Sequence, residues 1–159
     1  QEIYDRGFET ALIFEDDVIF RDDIDEIMEK VTPRLSVLDW QVLYLGVIPY
    51  KVGENIDPHL RVLKRGCHLH AYGVNRTHLQ KLIECGKKAL SRKKVIDVAL
   101  SKCDSIQKLM VQPIVAMQAI SPSDTGGSHN RLTEYAKYVS TTEFLENCKE
   151  LRETNKETW

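Results

Sequence analysis

The chain has 159 residues, 42% of them hydrophobic and 29% charged, with 22 basic side chains set against 24 acidic ones. That length and composition predict about one globular domain with apolar material for a core, and argue against disorder. No run of Lys or Arg is long enough to follow a phosphate backbone, which sets nucleic acid aside. The longest apolar run falls far short of the ~20 residues a spanning helix needs. Cys67, Cys85, Cys103 and Cys148 stand far apart with no C-x-x-C pair, so their spacing reads as neither a zinc ribbon nor a redox pair and calls for no disulfide framework.

The first patterned segment is Ala11-Leu12-Ile13-Phe14, which breaks into Glu15-Asp16-Asp17 before Val18-Ile19-Phe20 resumes. A continuous apolar run predicts a strand buried on both faces, as in a parallel or mixed α/β sheet, with the carboxylates at its carboxyl end. Residues 22–38 carry Ile24, Ile27, Met28, Val31, Leu35 and Leu38 at mostly three- and four-residue steps behind Asp22, Asp23, Asp25 and Glu26. This predicts a helix, kinked or interrupted at Pro33. Residues 40–45 read as a second buried strand ended by Gly46, and residues 47–60, with Pro49, Gly53, Asn55, Asp57 and Pro58, as a loop.

Strand character returns at residues 61–64 and 68–74. Thr77 then suits the N-cap of a helix bearing Leu79, Leu82 and Ile83, and makes a cap rather than a glycan the simple account of the sequon Asn75-Arg76-Thr77. A shorter helix is expected over residues 95–100, and an apolar strand over residues 110–120 around Pro113. The small, polar residues 121–130 predict a long loop, and residues 141–159 a charged C-terminal helix or tail. The domain limits are accordingly 1–140 and 141–159.

Three adjacent carboxylates at the end of a buried strand repel one another and lose hydration, so a bound divalent cation is a natural compensation, with Mg²⁺ or Mn²⁺ suited to oxygen donors. On an extended backbone Glu15 and Asp17 would face one way and Asp16 the other. The bland alternative is a charged loop that binds nothing. Acidic residues at strand ends also occur in receiver-type signalling domains, but Gly46 stands where such a domain needs a phosphorylatable Asp, which weakens that reading.

The ordered set Ala11-Leu12-Ile13-Phe14-Glu15-Asp16-Asp17-Val18, Trp40-x-x-Leu43-Tyr44-Leu45-Gly46, His70-Ala71-Tyr72, Ile96-Asp97-x-x-Leu100 and Pro113-Ile114-Val115-Ala116-x-Gln118 with Ser123-Asp124 after it resembles glycosyltransferase family 25. That family includes procollagen galactosyltransferases and bacterial lipooligosaccharide glycosyltransferases, and the resemblance covers roughly residues 3–130. It implies an α/β fold of GT-A-like (Rossmann-like) type, a mixed sheet flanked by helices. It also implies metal-dependent, inverting transfer of a hexose such as galactose from a UDP-sugar to a hydroxyl on a glycan or hydroxylysine.

Carried over by position, Asp17 becomes the direct ligand of Mn²⁺ (or Mg²⁺). Glu15 becomes a second ligand or a contact to the donor ribose, and Asp16 a contact to the donor or to a backbone amide. Asp97 becomes the base that takes the acceptor proton, or else a carboxylate serving a helix N-terminus. His129, in the polar loop with Asp124, is a candidate late metal ligand or a solvated histidine. His68 and His70 form an H-x-H pair with no third ligand nearby, so the resemblance gives His70 and Tyr72 a part in shaping the donor-sugar pocket instead. Tyr44, Trp40 and Tyr72 could stack on rings or fill a core. Arg92-Lys93-Lys94 could attract a diphosphate or be a solvated turn.

In the family, the strands that cradle the nucleobase precede the acidic motif, whereas fourteen residues precede Glu15 here. The resemblance therefore implies a chain without its N-terminal strands, binding UDP weakly or not at all. A non-catalytic carbohydrate-binding or adhesion module is the alternative. Compartment would follow the acceptor: the cytoplasmic membrane face for bacterial glycans, the endoplasmic reticulum lumen for collagen.

Overall fold

The computed structural model of the protein describes residues 2–118. The predicted loop at 121–130, with Asp124 and His129, the 140/141 boundary and the charged tail lie outside the described residues. The elements run α1 (Glu2–Asp5), β1 (Thr10–Phe14), β2 (Val18–Phe20), α2 (Ile24–Leu35), β3 (Val42–Asn55), β4 (Leu60–Asn75), a 3₁₀ turn (Arg76–His78), α3 (Leu79–Ser91), α4 (Ile96–Ser101), β5 (Lys108–Val111) and β6 (Ala116–Gln118). No helix among the described residues is long and apolar enough to cross a membrane.

The fold is mixed α/β, a curled mixed sheet between helices. The long hairpin β3–β4 forms its body. The short strand β5 pairs in parallel with Val42–Tyr44 on one side and antiparallel with Leu60 to Val62 on the other, so opposite edges of the hairpin's two ends grip the same strand. The ribbon must coil to achieve this, helped by the register shifts along β3 near Gly46 and Pro49, where extra residues increase local twist.

Those irregularities explain the main departures from the sequence reading. Gly46 does not end a strand; β3 continues through the predicted 47–60 loop to Asn55, leaving only a short turn before Leu60. Turn-forming residues are tolerated because bulges absorb them. The two strands expected at 61–64 and 68–74 are one, β4, bent near Gly66 and His68, whose φ of 75° lies in the left-handed region. The strand expected over 110–120 is instead two, β5 and β6, separated by the bend at Gln112-Pro113.

Alternation along β3 divides the core. Val42 and Tyr44 face one layer with Met110, Ile114, Met117 and Leu100. Leu43 and Leu45 face the other with Leu109, Val111, Val115 and the buried α2 residues Ile27 and Val31. Both faces are thus covered, α2 on one and α3–α4 on the other, as the continuous apolar run predicts for β3.

The same prediction fails for β1. It is a strand, but among the described residues it lies at the sheet's edge and pairs only with β4, and Leu12 and Phe14 remain 56% and 45% exposed. Apolar runs report strand propensity and cannot distinguish a central strand from an edge one.

Smaller corrections concern helix ends. α2 keeps Pro33 within its last turn, where Ser36 Oγ donates to the Pro33 carbonyl. Asp23 does not cap it, since Arg21 holds that carboxylate through two bonds of 2.8 and 2.6 Å. Thr77 does not cap α3: it lies within the 3₁₀ turn, which Asn75 caps with Oδ1 accepting from the Thr77 amide at 3.0 Å, and His78 holds the N-cap position of α3 without a side-chain capping bond. Cys85 and Cys103 are joined as a disulfide between α3 and the end of α4, a pairing the sequence spacing does not signal until those helices stack.

Lys108 fixes α4 in place. Buried at the start of β5, its ammonium donates to the carbonyls of Leu100, Ser101 and Cys103 at 3.4, 3.1 and 2.8 Å, satisfying the helix's open C-terminal end. Ser101 Oγ also accepts from the Gly66 amide at 3.0 Å, tying α4 to the bend of β4.

Gly46 sits where a Cβ would collide with the His70 ring and the Ala116 carbonyl. Gly46→Ala should therefore lose about 1–3 kcal/mol of stability through overpacking, read as a lower urea midpoint; an unchanged midpoint would contradict the tight β3–β4–β6 contact.

Candidate functional site

The acidic triplet is a turn, not an extension of β1. The Glu15 amide donates to the His70 carbonyl at 2.8 Å, the Val18 amide returns to the Glu15 carbonyl, and the chain reverses into β2, which pairs with β6. This corrects the expectation that strand alternation orients Glu15 and Asp17: in a turn that period does not apply. The triplet does lie at the carboxyl end of β1, as predicted.

Two other elements converge on it. From β6, Gln118 Nε2 donates to Glu15 Oε2 at 3.1 Å. From α4 comes Asp97, in that helix's first turn, with Oδ2 accepting from the His68 amide at 3.1 Å and Oδ1 from the Val98 amide. The left-handed backbone of His68, costly for a non-glycine residue, is what turns its amide toward Asp97. Asp97 is thus both a helix N-terminal carboxylate and a clamp on β4.

The electrostatics show that these groups share one neighbourhood. The Glu15 carboxyl is held above its ordinary range, first by desolvation and then by the charges of Asp17, Asp16 and Asp97. The half-buried Tyr72 hydroxyl is also pushed up, by burial and then by Glu15. Tyr44, deep in the core beneath, is raised by burial, with Tyr72 and Asp97 as further causes. Four carboxylates and a phenol therefore lie within electrostatic reach of one another.

Asp17 adds a second sign of incomplete compensation: its Oδ1 is buried and has no hydrogen-bond partner among the described residues. Orphaned acceptors of this kind are rare, because each loses hydration without return. Glu15 and Asp16, by contrast, are exposed as whole residues.

These donors fit a hard divalent cation in part. Glu15 and Asp17 offer carboxylate oxygens in a crowded acidic turn, and Mg²⁺ is commonly held by one or two carboxylates and completed by phosphates and water. Among the described residues no group of three His, Cys, Asp or Glu side chains is placed to hold a metal. His129 lies outside those residues.

His70 is fully buried, its ring set against Gly46 and its Nε2 3.3 Å from the Ala116 carbonyl, and burial pushes its pKa down to about 4. The ring is therefore neutral near neutral pH. It supports the site from below, while its own carbonyl receives the Glu15 amide. Trp40 is core, with Nε1 donating to the Leu35 carbonyl at 3.0 Å.

Sequence reasoning missed Gln118 as a donor to Glu15 and His68 as the backbone partner of Asp97. Gln118 belonged to the quoted motif but carried no role there; nothing in the sequence marks His68 for a positive φ.

A groove of about 760 Å³ lies between α3 and α4, walled by Lys88, Arg92, Lys94 and Lys102 over Ala89 and Val98. None of the site carboxylates lines it. No protein-family model matches the chain, and no curated protein matches its sequence.

The raised Glu15 pKa gives a signed expectation. The folded state favours the protonated form, so stability is greatest below the unfolded pKa of about 4.3 and is lost as pH rises through the folded pKa. Glu15→Gln keeps an acceptor for Gln118 and removes the charge. It should melt higher than the parent at neutral pH, with the gap closing as pH falls toward 4; a gap independent of pH, or of opposite sign, would contradict the crowding of carboxylates.

Proposed function

We propose that the protein is a metal-dependent glycosyltransferase acting on a nucleotide-diphosphate sugar, with the turn at residues 15–17 as its cation and donor site. The observation that carries the reading is the crowded carboxylate turn, in which Asp17 Oδ1 is buried without a partner among the described residues and the Glu15 carboxylate is destabilised first by desolvation and then by three neighbouring acids. The order of motifs shared with glycosyltransferase family 25 supports it. On this reading the fold is GT-A-like, the donor is UDP-galactose or a related UDP-hexose, and the acceptor is a hydroxyl on a glycan or hydroxylysine.

Asp17 and Glu15 would hold Mn²⁺ or Mg²⁺. Bound there, the cation supplies Lewis-acid stabilisation of the charge that develops on the departing diphosphate. The chain's own residues do the rest. Gln118 orients Glu15, the His70 carbonyl fixes the turn through the Glu15 amide, and Tyr72 offers a phenol beside the donor. Asp97, held by the amides of His68 and Val98, takes the acceptor proton at Oδ1 as the hydroxyl attacks the anomeric carbon with inversion. Its two anchoring bonds fix the carboxylate's direction, which favours a single acceptor approach.

The test is a donor screen that measures UDP release with Mn²⁺ for the parent protein and for Asp17→Asn. The parent should turn over at least one UDP-hexose, and the substitution should lower Mn²⁺-dependent turnover by about a hundredfold or more, the scale of losing one group that stabilises developing charge. Equal turnover by the two proteins would overturn the assignment of Asp17.

A further inference from the structure

The turn between α3 and α4 combines two kinds of surface. Leu90 and Val95 are each 68% exposed, and Ile96 and Val98 are 44% and 41% exposed, so four large aliphatic side chains reach water within nine residues. Around them stand Lys87, Lys88, Arg92, Lys93 and Lys94, all exposed, with Asp97 the only acidic residue between positions 87 and 98. Among the described residues none of these five cations makes an ion pair.

The bland account of the cations is the C-terminal end of α3, whose carbonyl dipoles favour positive charge over the last turn. It serves Lys88 and does not explain exposed aliphatics at 90, 95, 96 and 98. The neighbouring groove is also mainly basic: Lys81, Lys88, Arg92, Lys94 and Lys102 line it against the single acid Glu84, and of the exposed aliphatics only Val98 reaches it. Exposed aliphatic side chains and exposed Lys and Arg gathered at one helix–helix corner match the two layers of an anionic bilayer surface: acyl chains below, phosphate and carboxylate headgroups above. The chain's net charge is −2, so attraction to such a surface must be local to this corner.

We propose that the α3–α4 corner docks on anionic membrane surfaces, inserting Leu90 and Val95 between headgroups while Lys88, Arg92 and Lys94 engage their phosphates. The inference does not rest on the transferase reading. α4 also carries Asp97, so docking would hold the carboxylate site near the bilayer.

The experiment is co-sedimentation of the full chain with phosphatidylcholine vesicles, alone or with about one third phosphatidylserine, at about 0.15 M salt. The protein should pellet with the anionic vesicles and not with the neutral ones. Lys88→Gln, Arg92→Gln and Lys94→Gln combined should weaken that binding about a hundredfold, at about fivefold per cation. Leu90→Ser with Val95→Ser should weaken it about tenfold or more and leave binding to heparin unchanged. All five substituted side chains are exposed, and an unchanged melting temperature checks the fold. Absence of binding to the anionic vesicles, wild-type affinity in the charge variant, or wild-type affinity in the Leu90/Val95 variant would overturn the proposal; the last outcome would mark a site for soluble polyanions instead.

Discussion

The double pairing of β5 is the constraint on which the structure turns. A strand of four residues, Lys108–Val111, holds Val42–Tyr44 along one edge and Leu60 to Val62 along the other. Because those partners belong to opposite ends of one hairpin, the ribbon must coil, and the coil gives the sheet two buried faces. α2 covers one, α3 and α4 the other. Lys108, first residue of that strand, also closes the carbonyl end of α4, so the strand that seals the sheet positions the helix bearing Asp97.

The site is a consequence of that closure. β4 bends at Gly66 and His68 to follow the coil, and at the bend the His68 amide meets Asp97 while the His70 carbonyl meets the Glu15 amide. Two residues apart on one strand, these backbone groups bring together a carboxylate from α4 and a carboxylate turn from the sheet's edge. The His70 ring fills the space beneath, where Gly46 admits it. Acidic groups are thereby gathered at a cost that hydrogen bonds only partly offset, as the raised Glu15 pKa and the unpartnered Asp17 oxygen both indicate. Proteins retain such crowding where a ligand relieves it.

Much of this was legible in the sequence, and the limits are instructive. The continuous apolar run through Val42, Leu43, Tyr44 and Leu45 identifies β3 as a strand buried on both faces, the helical period over residues 22–38 places α2 within two or three residues, and the stretch at 95–100 places α4 within one. The acidic turn is visible as a break in an apolar run. The exposed position of β1 is not visible, because Leu12 and Phe14 have the same composition whether a sheet continues beyond them or stops. The continuity of β3 and β4 was hidden by Gly46, Pro49 and Gly66, which normally punctuate chains and here supply the bulges a coiled ribbon needs. The pairing of Cys85 with Cys103, and the contacts of Gln118 and His68, depend on tertiary placement that no local pattern encodes.

On the proposed reading, residues 15–17 form a turn whose excess carboxylate charge a divalent cation neutralises. Electron paramagnetic resonance titration of Mn²⁺ measures this directly, through loss of the free-ion signal on binding. The account predicts about one ion bound per chain at micromolar to sub-millimolar free Mn²⁺, competition by Mg²⁺, and loss of that site in Asp17→Asn. An undiminished free-ion signal in the parent, or equal binding by the parent and Asp17→Asn, would contradict it.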